Sequence, residues 1–317
     1  MRWLRRIGLA LLVLVVVLVA FEPTRVAIQT AAMLPSLLDA GPKPLAIFSE
    51  TPQRTSLPYR AAEEGQDPDL AEVWLPSWAS AERQAGAMLL VFGVNNLGRN
   101  HPAIERVADA LARTGVAVVV PDSRTLLEGR LEVGEIDGVV RAFQLLAARP
   151  EVDRERIGIV GFSVGGSLAL LAARDPRIAS QVRWVNAFGA FGDAATYLSS
   201  VSAHAYVDAD DEVVPWTPTP LAREVYLRFM LDQVTTDADR SALDDAFADA
   251  ILAGDRPAAD PQLRASLESE PARTVHDLFT APDLDAARHS IDELPAPSLT
   301  FIAVSYTHLT LPTKRIV

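Results

Sequence analysis

The sequence predicts an α/β fold, a doubly wound and mainly parallel sheet with helices on both faces and a helical cap inserted late in the chain. Three observations carry this. Short apolar runs at residues 87–92, 116–120, 157–160 and 182–188 read as strands, most of them buried on both faces. Helical periodicity separates them: Ile104, Val107, Ala108 and Leu111 share one face, and Ile136, Val139, Val140, Phe143 and Ala147 share another. Such alternation implies parallel strands joined by right-handed crossovers. Finally, residues 157–172, IGIVGFSVGGSLALLA, read as strand, sharp turn and helix with Ser163 at the tip.

In chain order, Arg2, Arg5 and Arg6 precede an apolar run over residues 7–21. A basic start followed by such a run marks a membrane-targeting segment. The expectation is an uncleaved signal anchor over residues 1–28, a single transmembrane helix that leaves the rest of the chain outside the cytoplasm. The alternative is a cleaved signal and a secreted or periplasmic protein; a buried core helix is disfavoured by the arginine flank. Residues 26–38 read as a short helix ending at Pro35 or just after, suited to a membrane surface. Residues 41–58 read as linker and first edge strands, and residues 70–75 as a strand ended by Pro76.

The α/β core is expected over residues 40–191. After residue 116 a strand closes at Pro121-Asp122, and Gly115 stops the helix before it. Residues 192–296 lose the strand–helix alternation. Leu221, Val225 and Phe229 share a face there, as do Leu243, Phe247 and Ile251, so this stretch reads as a helical cap over the serine. Residues 297–303, PSLTFIA, read as a seventh core strand. Residues 304–317 look like a translated sequencing adapter rather than protein, so a non-native tail and a C-terminally truncated fragment are expected.

Composition excludes several classes. A net charge of −12 argues against a nucleic-acid-binding surface. With no cysteine, disulfides, cysteine-ligated metals and a thiol nucleophile are ruled out. No phosphate loop, zinc motif or dinucleotide fingerprint occurs, so no cofactor or metal is implied.

Gly161-Phe162-Ser163-Val164-Gly165 is the G-x-S-x-G pattern of a nucleophile elbow. Alone it arises by chance in roughly one chain in ten of this length. In order with Phe92-Gly93-Val94-Asn95, Gly115-Val116, Pro121-Asp122 and Val152-Asp153-Arg154, it resembles the α/β-hydrolase superfamily, in its dienelactone-hydrolase-like and prolyl-oligopeptidase-like branch. Many relatives carry His-Gly where this chain has Phe92-Gly93. The resemblance implies Ser163 as nucleophile and an oxyanion hole from the backbone N–H of Val164 and of Val94, or of Phe92 if the register shifts. It also implies the order serine, then acid, then histidine.

No candidate fits the acid or the base. Asp208-Ala209-Asp210-Asp211-Glu212-Val213-Val214-Pro215 imitates an acid loop but follows the sixth strand too closely; an exposed loop is expected. It lacks the glycine and terminal glutamate of an EF-hand. His101 reads as a helix-end residue, His204, His276 and His289 fall in the cap, and His308 falls in the tail. Acid and base are therefore expected to be absent and this chain inactive or barely active. The function expected is a membrane-anchored, extracytoplasmic serine hydrolase acting on a small-molecule ester-type substrate. A peptidase or thioesterase on the same fold, or a catalytically inactive binding module, are the alternatives.

Overall fold

The computed structural model describes residue 3 and residues 21–61, 67–132 and 134–294. Most of the expected anchor, the expected seventh strand at 297–303 and the tail with His308 lie outside the described residues. Among the described residues no helix is long and apolar enough to cross a membrane.

The elements run α1 (Glu22–Leu37), α2 (Pro44–Phe48), β1 (Gln53–Arg60), β2 (Asp69–Leu75), β3 (Ala85–Val91), α3 (Pro102–Arg113), β4 (Val116–Pro121), α4 (Arg124–Leu127), α5 (Gly134–Ala147), β5 (Val152–Phe162), α6 (Val164–Ala172) and β6 (Val182–Phe188). The cap follows as α7 (Ala194–Ala203), β7 (Ala205–Val207), β8 (Val213–Pro215), α8 (Pro220–Leu231), α9 (Asp237–Ala253), α10 (Pro261–Ser266), α11 (Glu270–Phe279) and α12 (Leu284–Asp292).

Six strands form one sheet in the order β1-β2-β4-β3-β5-β6. β4, β3, β5 and β6 are parallel, and helices connect β3 to β4, β4 to β5 and β5 to β6. β1 and β2 follow one another without a helix, pair antiparallel, and β2 is antiparallel to β4. The helix α3 packs on one face and α5 and α6 on the other. Leu89, Val118, Val119, Ile157 and Ile159 are fully buried between these layers. Each such side chain contributes roughly 1.5–3 kcal/mol of burial, which is why these runs carry no polar alternation.

The cap departs from the sequence reading in one place. The acidic stretch is the turn of a two-stranded hairpin: Val213–Pro215 is itself a strand, paired with Ala205–Val207. Asp208 organises the turn, its carboxylate accepting from the N–H groups of Asp210 and Glu212 at 2.9 and 3.0 Å. Residues 209–213 are exposed, as expected of a loop. Three of the cap's prolines, Pro220, Pro261 and Pro271, sit in first helical turns behind capping side chains. Thr219 caps α8 ahead of Pro220, and Asp260 caps α10 ahead of Pro261. Leu243, Phe247 and Ile251 are buried as their spacing requires, and cap and sheet share one continuous apolar core.

Candidate active site

The parallel register brings three strand ends together, with Val91 beside Gly161 and Gly161 beside Ala187. The loops that leave these ends build one wall of the site. Ser163 follows β5 directly and has φ 55° and ψ −134°, a conformation in which an L side chain is held at a cost of roughly 1–3 kcal/mol. Two hydrogen bonds impose it. Its N–H donates to the Phe188 carbonyl at 2.8 Å, and its carbonyl accepts from Gly166 N–H at 2.9 Å.

The flanking glycines are required by contact. A Cβ on Gly161 would lie 2.4 Å from the Gly165 carbonyl oxygen, and one on Gly165 would lie 2.5 Å from the Val91 carbonyl oxygen. Strand and helix therefore approach to a distance that no side chain permits. Val164 opens α6, so its N–H has no carbonyl one turn back within the helix. Gly93 lies directly over the serine: a Cβ there would sit 3.1 Å from Ser163 Cβ.

Phe92 has a packing role. Its ring stacks on Phe162 at 5.1 Å, and Phe162 stacks on Phe188 at 5.2 Å. This row of three rings joins the ends of β3, β5 and β6 beside the elbow. The loop beyond Val94 is fixed by charge. Asp122, at the end of β4, accepts from Arg99 N–H at 2.6 Å and pairs with the Arg99 guanidinium. Arg99 also reaches the buried Glu72 at 3.3 Å, and Glu72 in turn holds Arg54 at 3.0 Å. Burial pushes the Asp122 carboxyl above its ordinary value against the opposing pull of Arg99.

The opposite wall comes from the cap. Ser163, Val164 and Val94 face a cavity of about 130 Å³ whose far side is α7 and α8. Leu221, Val225 and Phe229, the face read from the sequence, all line it. Phe191 joins them because the loop after β6 is tied to α6: Ser167 Oγ donates to the Phe191 carbonyl at 2.9 Å and accepts its N–H at 3.1 Å. Tyr197 stacks on Phe191 at 4.8 Å. Sequence reading missed Phe191, Tyr197 and the Arg99–Asp122 pair, since each depends on contacts between distant segments.

No described histidine lines this cavity. His101 caps α3, accepting from Ala103 N–H at 3.2 Å. His204 ends α7 with φ 53°, and burial, with Arg223 and Arg256 nearby, lowers its pKa. His276 is buried inside the cap, 3.1 Å from Asp277, and His289 lies 3.3 Å from Glu293 on the surface. Among the described residues no group of three or more metal-ligating side chains is assembled.

Among solved structures, the fold is similar to a Pyrobaculum calidifontis esterase at 17% identity, covering 64% of this chain and 62% of that one, with a TM-score of 0.40. It is similar to the dienelactone hydrolase of Anabaena variabilis at 20% identity, covering 43% and 62%, with a TM-score of 0.31. It is also similar to Porphyromonas gingivalis dipeptidyl peptidase 4 at 19% identity, covering 45% of this chain but 22% of that one, with a TM-score of 0.36. The chain thus spans about a fifth of the peptidase's length and less than two thirds of the other two. No family model matches the sequence, and no curated protein matches it.

Proposed function

We propose that Ser163 is the nucleophile of a serine hydrolase that cleaves an ester-type acyl bond. The observation that carries this is the strained serine at a glycine-limited elbow, opening into a cavity between sheet and cap. In the reaction Ser163 Oγ attacks the carbonyl carbon and its proton passes to a base. The carbonyl oxygen becomes an oxyanion, met by the N–H groups of Val164 and Val94. Collapse of this intermediate expels the alcohol, which takes up the proton, and leaves an acyl-serine. Water then attacks the acyl-serine, restoring the hydroxyl and releasing the acid.

None of the four described histidines lines the cavity. The expectation from the sequence that acid and base are absent is kept as part of this proposal, with slow turnover as its consequence. The same observation favours a second reading, a catalytically inactive hydrolase fold that binds a ligand at the elbow. We further place the protein at a membrane, on its extracytoplasmic side. The basic, then apolar, N-terminal sequence supports this, as do the exposed Phe21, Val26 and Ile28 around the start of α1 and Ile47 and Phe48 of α2.

Labelling with an alkyl fluorophosphonate in the presence of free imidazole, which supplies a base from solution, tests the nucleophile when mapped by peptide mass spectrometry. The hydrolase reading expects an adduct on Ser163 that is lost in Ser163→Ala. An adduct spread over other serines, unchanged by that substitution, would favour the inactive fold.

A further inference from the structure

We infer that the cavity beside Ser163 accepts an uncharged, apolar acyl group of short to medium length and rejects acyl groups that end in a carboxylate. This rests on the elbow being the reacting site. The first ground is charge: among the described residues, no Asp, Glu, Lys, Arg or His lines the cavity.

The second ground is how two of the polar side chains in its wall, Thr219 and Tyr226, are used. Thr219 Oγ1 is turned to the backbone, accepting from Ala222 N–H at 3.3 Å as the cap of α8. The Tyr226 hydroxyl is paired with Ser202 Oγ at 2.9 Å on the buried side of the cap, so its ring is what remains for a ligand. Its neighbours on α8, Val225 and Phe229, are apolar. A carboxylate entering this space would lose its water without meeting a cation, a penalty large enough to exclude it. An alkyl group loses only unfavourable hydration there. The volume of about 130 Å³ suits an acyl chain rather than a bulky steroid or lipid pair.

The third ground is position. The apolar side chains lie across from Val94 and Val164, whose N–H groups are assigned to the oxyanion. A substrate carbonyl placed over Ser163 therefore directs one of its two arms into the space between the elbow and α8.

Two amides that differ only in charge at the end of the acyl arm test this. The 4-nitroanilide of 4-methylpentanoic acid carries two methyls where the mono-4-nitroanilide of succinic acid carries two carboxylate oxygens. Binding of each to the full chain is measured by calorimetry at neutral pH. The neutral amide is expected to bind about tenfold tighter or more, a difference of 1.4 kcal/mol per tenfold. Leu221→Lys, at a residue 54% exposed on the cavity rim, is expected to shift the ratio toward the succinyl compound by about threefold or more without altering the fold. Equal or tighter binding of the succinyl compound by the unaltered chain would overturn the inference, as would no binding of either. The readout needs no turnover. A preserved preference without Ser163 labelling would refute the hydrolase reading alone, and Ser163 labelling with a reversed preference would refute the acyl assignment alone.

Discussion

The two walls of the cavity are built on different principles. The elbow wall is backbone: Ser163 is positioned by the carbonyls and N–H groups of Phe188 and Gly166, and by glycines whose contacts leave no room for a methyl. The cap wall is side chain: Leu221, Val225 and Phe229 stand one turn apart on α8, and their identity, not their backbone, shapes the space. Substitution should therefore act in an all-or-none way on the first wall and in a graded way on the second. Such a division lets one chemistry meet many acyl groups.

The largest effect is expected at the elbow. Gly165→Val drives a branched side chain into the Val91 and Phe92 backbone, which cannot move without shifting β3. Overpacking against side chains costs about 1–3 kcal/mol, and contact with backbone belongs at or above the top of that range. A lowered melting temperature together with lost Ser163 labelling would bear this out. A variant with native stability and labelling would break the distinction between the walls.

Phe229→Ala comes next. The residue is 7% exposed, and truncating such a phenylalanine costs about 3–5 kcal/mol in a rigid core. Because it borders a cavity already, the loss should fall at or below the lower end. Labelling of Ser163 should persist, with preference moving to longer acyl groups. A chain-length series of 4-nitroanilides read by calorimetry checks this.

A smaller effect should appear as acid lability of the cap. Burial pushes the Asp239 carboxyl up, but hydrogen bonds outweigh it and hold its pKa well below the ordinary carboxylate range. They come from the Ser269 and Thr236 hydroxyls and from the N–H groups of Glu268 and Ser269. With the folded pKa depressed, this stabilisation is present above the unfolded pKa and is lost as pH falls through the folded value. Asp239→Asn should lower the melting temperature at neutral pH and flatten its decline below about pH 4. An unchanged acid profile in the variant would assign the lability elsewhere. The least effect on stability belongs to Leu221→Lys, within about 0.5 kcal/mol.

Much of the sheet was legible because β3, β4 and residues 157–160 of β5 are covered on both faces, so these runs needed no polar positions. β6 was read from the apolar run at residues 182–188 although it is only partly buried; among the described residues it pairs with β5 alone. The elbow was legible because its geometry depends on glycines a few residues apart. The cap helices were legible as faces, but the partner of the Leu221–Val225–Phe229 face was not, since nothing local distinguishes a cavity wall from a core. The phenyl row and the Arg99–Asp122–Glu72–Arg54 chain were hidden for the same reason: each joins strands far apart in sequence. The short α2 and the β7–β8 hairpin were missed because a helix of five residues and strands of three carry too little periodicity.

The central claim is that Ser163 is a poised nucleophile that works once a base is supplied. Free imidazole can supply that base from solution. Hydrolysis of 4-nitrophenyl 4-methylpentanoate would be followed against imidazole concentration for the chain and for Ser163→Ala, whose rate gives the uncatalysed background. The account predicts an imidazole-dependent rate above that background, with an acyl group trapped on Ser163. Identical imidazole dependence in the two proteins would contradict it.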